Sequence, residues 1–181
     1  MPQPMVHNLN MGCCFGPFLM TGGTVTVASD LGAEALISLI ETTRPTWLML
    51  GGPIIARIET AIQSGRINLS NARGVIAANS APKLRELLGL PVFHIFGMTE
   101  GVIMFTHPTD SLEALDTTNG RPVSAWDSIR ILKPGTEEPV AFGEIGEPAF
   151  KGPVHDTRLL QGRRAQQGNL HQRWATTARA T

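Results

Sequence analysis

Tyrosine is absent from all 181 residues, and only 6% of the chain is aromatic. Cysteine is nearly absent too: the only two, Cys13 and Cys14, are neighbours. Adjacent thiols suit neither an ordinary disulfide nor a zinc site, which excludes a disulfide-stapled secreted scaffold and points to a reducing, cytoplasmic setting. Long apolar runs are missing as well; none approaches the roughly 20 residues that cross a bilayer. The N-terminus has no basic stretch followed by an apolar one, so no signal peptide is expected. Neither sign of charge dominates, with 15 Lys and Arg against 15 Asp and Glu. That balance removes any global electrostatic case for nucleic acid or an anionic membrane. The length still suffices for one domain with a real core.

What is present alternates between two patterns. Thr24 to Ala28 alternates β-branched residues as a strand does. Ala33 to Thr43 carries Leu36, Ile37, Leu39 and Ile40, a one-sided helical stripe ended by Arg44-Pro45. Trp47 to Leu50 predicts a short buried strand closed by Gly51-Gly52-Pro53, and Ile54 to Gln63 a second helix. Gly74 to Ala77 predicts a strand, Lys83 to Leu88 a short helix with Ser80 as its cap, and Pro91 to Phe96 another strand. This β-α-β order is that of a parallel sheet with right-handed crossovers, an α/β fold. Val102 to Phe105 predicts a further strand, and Pro108 to Thr118 an acidic loop. Beyond Gly120 the chain turns β-rich, with antiparallel strands at Ser128 to Leu132 and Glu147 to Phe150. The expected division is therefore 1–119 for the βα part, 120–153 for the β-rich part and 154–181 for a basic tail. That tail sets Arg158, Arg163, Arg164, Arg173 and Arg179 against Asp156, and too little of it is apolar to support a core.

The stretch His94-Ile95-Phe96-Gly97-Met98-Thr99-Glu100-Gly101 stands out. An apolar strand runs into a glycine, then a hydroxyl and a carboxylate. Ligands of open α/β sheets bind beyond the carboxyl ends of the strands. There a ring can stack on a base, a hydroxyl can bond a phosphate oxygen and a carboxylate can hold Mg²⁺. The competing reading is a strand, a turn and a helix N-cap at Thr99.

The order of motifs resembles the adenylate-forming superfamily, and within it the aryl acid adenylating enzymes such as 2,3-dihydroxybenzoate–AMP ligase. Met5-Val6-His7-Asn8 resembles their acid-binding His-Asn segment. Thr21-Gly22-Gly23-Thr24-Val25 resembles the glycine pair before a strand, and Asn79-Ser80-Ala81-Pro82 stands where the family has a Gly-Gly-Ala turn. Phe96-Gly97-Met98-Thr99-Glu100-Gly101 matches the aromatic-Gly-x-Thr-Glu motif in its aryl acid form. Gly120-Arg121-Pro122 and Gly143-Glu144-Ile145-Gly146-Glu147 match later turns. The resemblance covers about Met1 to Pro153 and implies a partial large N-terminal domain of an adenylate-forming enzyme.

The resemblance also implies roles. Phe96 would stack on adenine with the Ala81 backbone near the same ring, and Gly97 and Met98 would complete the nucleotide side. Thr99 would bond the α-phosphate, and Glu100 would hold Mg²⁺. His7, Asn8, Ala78 and Gly101 would border the aryl acid, with Asn8 able to bond an ortho hydroxyl. The implied cofactors are ATP or AMP and Mg²⁺. The acceptor of the acyl group would be a carrier-protein phosphopantetheine or coenzyme A. Asn79 and Ser80, in place of Gly-Gly, would crowd the acid.

The family's phosphate loop, its Tyr-Arg-Thr-Gly-Asp ribose motif and its catalytic Lys have no counterpart in this sequence. The tail accounts for one of these gaps. A back-translation of Val154 onward, with chosen synonymous codons and one base skipped at Val154 and another at Trp174, recovers an Arg-Gly-Tyr-Tyr turn and then Gly-Tyr-Tyr-Arg-Thr-Gly-Asp. The tyrosines reappear with them. Residues 154–181 are thus expected to be frameshifted family sequence and disordered. Two alternatives stand beside the ligase fragment: a non-catalytic remnant of a broken gene, and a binding module with a basic arm.

Overall fold

The computed structural model describes residues 7–78, 81–99, 101–153, 170–171 and 174–176. It divides into two compact units, Met1–Phe96 with Phe105–Arg121, and Gly97–Met104 with Pro122–Thr181.

The first unit opens with a continuous helical stretch: α1 (Asn8–Asn10), a π-helical turn (Met11–Phe15) and α2 (Gly16–Met20). Helix α3 (Ala33–Thr43) follows a turn in which Asp30 Oδ1 accepts from the Gly32 amide at 2.8 Å. It stops where Arg44 adopts a left-handed φ of 44° and returns its amide to Ile40 O, just before Pro45. Strand β1 (Trp47–Leu50), helix α4 (Gly52–Gln63), strand β2 (Gly74–Ala77), helix α5 (Ala81–Leu88) and strand β3 (Val92–Gly97) then alternate as expected. The strands are parallel: Leu48 pairs with Val75 and Leu50 with Ala77, while Val75 pairs with Val92 and Ala77 with His94.

Strand alternation sorts the side chains onto two faces. Leu48, Leu50, Val75, Ala77 and Val92 pack against Leu36, Ile37 and Ile40 of α3, Ile54 and Ile58 of α4 and Leu84 of α5. On the other face, Met49 and Ile95 meet Cys14, with Leu9 and Phe18 beside them. Helical stretches therefore cover both faces, as burial of a parallel sheet requires. Gly74 makes room for an aromatic pair across the strands. Trp47 and Phe93 stand 5.9 Å apart between ring centroids. A Cβ on Gly74 would lie 2.8 Å from Trp47 Cζ3 and 3.1 Å from Phe93 Cε2.

Two expectations are corrected here. Thr24 to Ala28 is not a strand. β1 is the last strand of its sheet on that side. Thr24, Val25 and Thr26 stand off from it across a cavity of about 330 Å³ that Trp47 to Leu50 also line. Alternation gives a segment strand propensity but no ladder partner. The stretch Pro108 to Thr118 is not all loop, because α6 (Leu112–Thr117) forms within it. Ser111 caps that helix, its Oγ accepting from the Ala114 amide at 3.2 Å.

The second unit contains β4 (Ile103–Phe105, whose last residue counts with the first unit) and carries antiparallel strands β6 (Ser128–Leu132) and β7 (Glu147–Lys151). Strand β5 (Arg121–Pro122) stands at the boundary between the units. Ser128 pairs with Lys151 and Leu132 with Glu147, and Leu132, Ala149 and Phe150 are buried. The turn Lys133 to Pro139 is closed by the Lys133 amide on Glu138 O at 2.8 Å. Two short strands, β8 (Leu170–His171) and β9 (Trp174–Thr176), extend the sheet in the order β6-β7-β9-β8. The rest of 154–181 lies outside the described residues.

Candidate functional site

Strands β1, β2 and β3 run in the same direction, so their carboxyl ends share one edge. Ala78 leaves β2 one residue beyond the Ala77–His94 pair and is exposed. Phe96 lies two residues beyond that pair on β3 and is half-buried. By alternation Phe96 shares the α5-side face with Val92 and His94, while Phe93 and Ile95 serve the opposite face.

His94 is held at this edge through both its ring and its backbone. Its Nε2 accepts the Ala81 amide at 3.2 Å, and its Nδ1 stands 3.1 Å from Thr118 O. An amide N–H must meet a lone pair, so Nε2 is unprotonated. Nδ1 then carries the hydrogen and donates it to the carbonyl. The His94 backbone is held as well: its amide donates to Thr106 Oγ1 at 2.8 Å, and the Thr106 amide donates to His94 O at 3.1 Å. Thr106 is buried. Below the ring, Arg85 of α5 pairs with Asp116 of α6 at 2.6 Å. Asp110 accepts the His107 amide at 2.6 Å and pairs with Arg121. Gly120, at φ +76°, is obligatory here, because a Cβ would overlap the Phe105 carbonyl.

In the second unit, the segment after β3 turns back on itself. The Met98 amide donates to Val102 O and the Gly101 amide to Met98 O, both at 3.2 Å. A Cβ on Gly97 would press on Val102 O at 3.2 Å, so a bare residue suits the turn. Gly97 and Thr99 are exposed, and Gly101 is buried. The next element is strand β4, not a helix. The reading of Thr99 as a helix N-cap is therefore excluded, and its hydroxyl stays on an exposed turn.

The other expected site residues divide as follows. Ala81 is fully buried; its methyl belongs to the core and its amide to His94. His7 is exposed and opens the first helical stretch, its Nδ1 accepting the Leu9 amide at 3.1 Å and its carbonyl the Asn10 amide at 2.9 Å. It thus begins the segment that packs on the Ile95 face, whereas Phe96 points to the opposite face. The side chain of Asn8, and Met5, Val6, Asn79, Ser80 and Glu100 entirely, lie outside the described residues. His94, Thr106 and Thr118 had no role in the sequence reading. The only signal was a histidine inside an apolar strand, which ordinarily marks a satisfied core residue.

Burial works against activation of either cysteine. Cys14 Sγ donates to Met49 Sδ at 3.0 Å. Burial, aided by neighbouring Cys13, pushes its thiol up to about 11, and burial also raises Cys13. Among the described residues no cluster of three or more His, Cys, Asp or Glu could hold a metal ion.

The sequence pattern of the AMP-binding enzymes matches residues 1–157, and the chain belongs to that family. Among its relatives, pyochelin synthase PchD of Pseudomonas aeruginosa is 32% identical over 83% of this chain. The vibriobactin-specific 2,3-dihydroxybenzoate-AMP ligase of Vibrio cholerae is 30% identical over the same share. The chain spans 28% and 29% of those two relatives, respectively. The apo structure of Mycobacterium smegmatis MbtA superposes with a TM-score of 0.80 at 25% identity, over 97% of this chain and 33% of that one. The mixed α/β arrangement with parallel strands is thus that of part of an adenylate-forming large domain. No helix among the described residues is long and apolar enough to cross a membrane.

Proposed function

We propose that this chain carries the nucleotide-facing edge and part of the acid pocket of an aryl acid adenylating ligase. The observation that carries the reading is Phe96-Gly97-Met98-Thr99 leaving the carboxyl end of a parallel strand into an exposed turn, in a chain 30% identical to a 2,3-dihydroxybenzoate-AMP ligase. In the parent reaction an aryl carboxylate oxygen attacks the α-phosphorus of ATP and pyrophosphate leaves. A thiol sulfur then attacks the acyl carbon, and AMP leaves. Phe96 stacks on adenine with the Ala81 main chain near the same ring, and Gly97 and Met98 also contact the nucleotide. Thr99 donates to an α-phosphate oxygen, and Glu100 would hold Mg²⁺. Bound there, Mg²⁺ would neutralise phosphate charge. His7, Asn8, Ala78 and Gly101 border the aryl acid, and the acceptor thiol is a carrier-protein phosphopantetheine or coenzyme A. The setting is cytoplasmic, in keeping with two free cysteines.

The 181 residues bind nucleotide without turning it over, since the phosphate loop and the catalytic Lys have no counterpart among them. Three segments follow: 1–119, 120–153 and a frameshifted 154–181. Calorimetric titration of the full chain with AMP and with a non-hydrolysable salicyl-adenylate tests the reading. Binding of both, weakened about 10-fold or more by Phe96→Ala through lost base stacking, is expected. No binding, or equal binding by the variant, would overturn it.

A further inference from the structure

We infer that His94 is a positioning residue: in its Nδ1–H form it fixes the main chain at the start of α5, and through it the affinity for the nucleotide. The inference rests on the reading that this turn faces adenine. Ala81 opens α5 and is fully buried, so its amide has no water to fall back on. The acceptor it finds lies on another element, 13 residues along the chain. The same ring donates to Thr118 O, at the end of α6. One imidazole therefore sets the spacing between the start of α5 and the end of α6, while its own strand runs on two residues to Phe96. Arg85–Asp116 ties the same two helices a turn further along. The ring has no freedom to choose its tautomer. A hydrogen on Nε2 would oppose the Ala81 amide, and an empty Nδ1 would oppose a carbonyl lone pair.

Two substitutions separate the two bonds. His94→Gln places an amide oxygen near the Nε2 position and keeps an acceptor for Ala81, while giving up the bond to Thr118. His94→Asn places an amide nitrogen near the Nδ1 position and keeps the donor to Thr118, while leaving Ala81 unpaired.

The test uses the full chain and three readouts: imidazole ¹⁵N shifts with the Ala81 amide resonance, AMP affinity and urea midpoint. The shifts are expected to show Nδ1 protonated and Nε2 bare. His94→Asn should weaken AMP about 10-fold, while His94→Gln stays within roughly 3-fold, the gap expected from one buried amide losing its acceptor. The Ala81 amide should lose exchange protection in the Asn variant only. A protonated Nε2 overturns the inference. So does equal AMP affinity in both variants, or affinity that follows the urea midpoint rather than the Ala81 bond. A wild-type chain that binds no AMP overturns the adenine-facing reading itself. Normal wild-type binding with an indifferent Asn variant removes only the role of His94.

Discussion

Replacing Gly74 by alanine puts a methyl between two rings. The new Cβ would lie 2.8 Å from Trp47 Cζ3 and 3.1 Å from Phe93 Cε2. Ordinary carbon contacts sit at about 3.5–4.0 Å, so the Trp47 ring must retreat by roughly 1 Å. Trp47 is 36% exposed and can swing outward; Phe93, at 8%, has little room. Overpacking of this kind costs about 1–3 kcal/mol. Opening the Trp47–Phe93 pair forfeits about 0.5–1.5 kcal/mol more. Alanine returns about 0.4–1 kcal/mol by restricting the unfolded chain. The net expected loss is about 0.5–4 kcal/mol, centred on about 2 kcal/mol, read as a lower urea midpoint by far-UV circular dichroism. The control is the same substitution in a Trp47→Leu background, where the nearer obstacle is gone and the loss should fall below about 1 kcal/mol. If Gly74→Ala is neutral in the wild type, or costs as much beside Leu as beside Trp, the aromatic pair does not dictate that glycine.

Gly120→Ala should be worse, lowering stability by about 2–4 kcal/mol in a thermal melt, because a left-handed backbone coincides with an overlap on the Phe105 carbonyl. The thiol of Cys14, pushed up to about 11 by burial, should resist a thiol-disulfide reagent at pH 8 in the folded chain and react on unfolding. The same shift makes a stability prediction. The unfolded thiol ionises first, so this contribution is whole below pH 9 and is lost as pH rises toward 11, visible as a falling urea midpoint. ATP–pyrophosphate exchange with salicylate, 2,3-dihydroxybenzoate or benzoate should stay at background for the isolated chain. In a frame-restored full enzyme Glu100→Gln should lower the exchange rate about 10-fold or more, with the acid KM unmoved.

The parallel core was legible because its strands are apolar runs bounded by Gly and Pro, and α3 and α4 carry their stripes openly. Leu48 to Leu50 needs no partner to be recognised as buried, whereas Trp47 at the head of the same apolar run is exposed. Thr24 to Ala28 shows the limit of that logic, since alternation says what a segment can do and not whether a neighbour is within reach. Helix α6 escaped because it is short, half polar and rich in acids. Its one local signal was Ser111 ahead of Glu113, a cap and a first-turn acid. The site divides the same way. The turn at Phe96 to Gly101 was readable as a motif because its residue types are unusual together. His94 was not, because its partners Ala81, Thr106 and Thr118 come from three separate stretches and meet only in the fold. The demands on Gly74 and Gly120 were hidden for the same reason: a glycine is visible in a sequence, but the ring or carbonyl it makes room for is not.

Nucleotide binding at the carboxyl edge of β2 and β3, as proposed, is tested by backbone amide shifts of the ¹⁵N-labelled chain followed through an AMP titration. Saturable shifts centred on Ala81 and Phe96 to Thr99, with the same midpoint at each, are the expected result. Shifts that gather instead around Thr24 to Thr26 and Trp47 to Leu50, at the cavity beside β1, would contradict it.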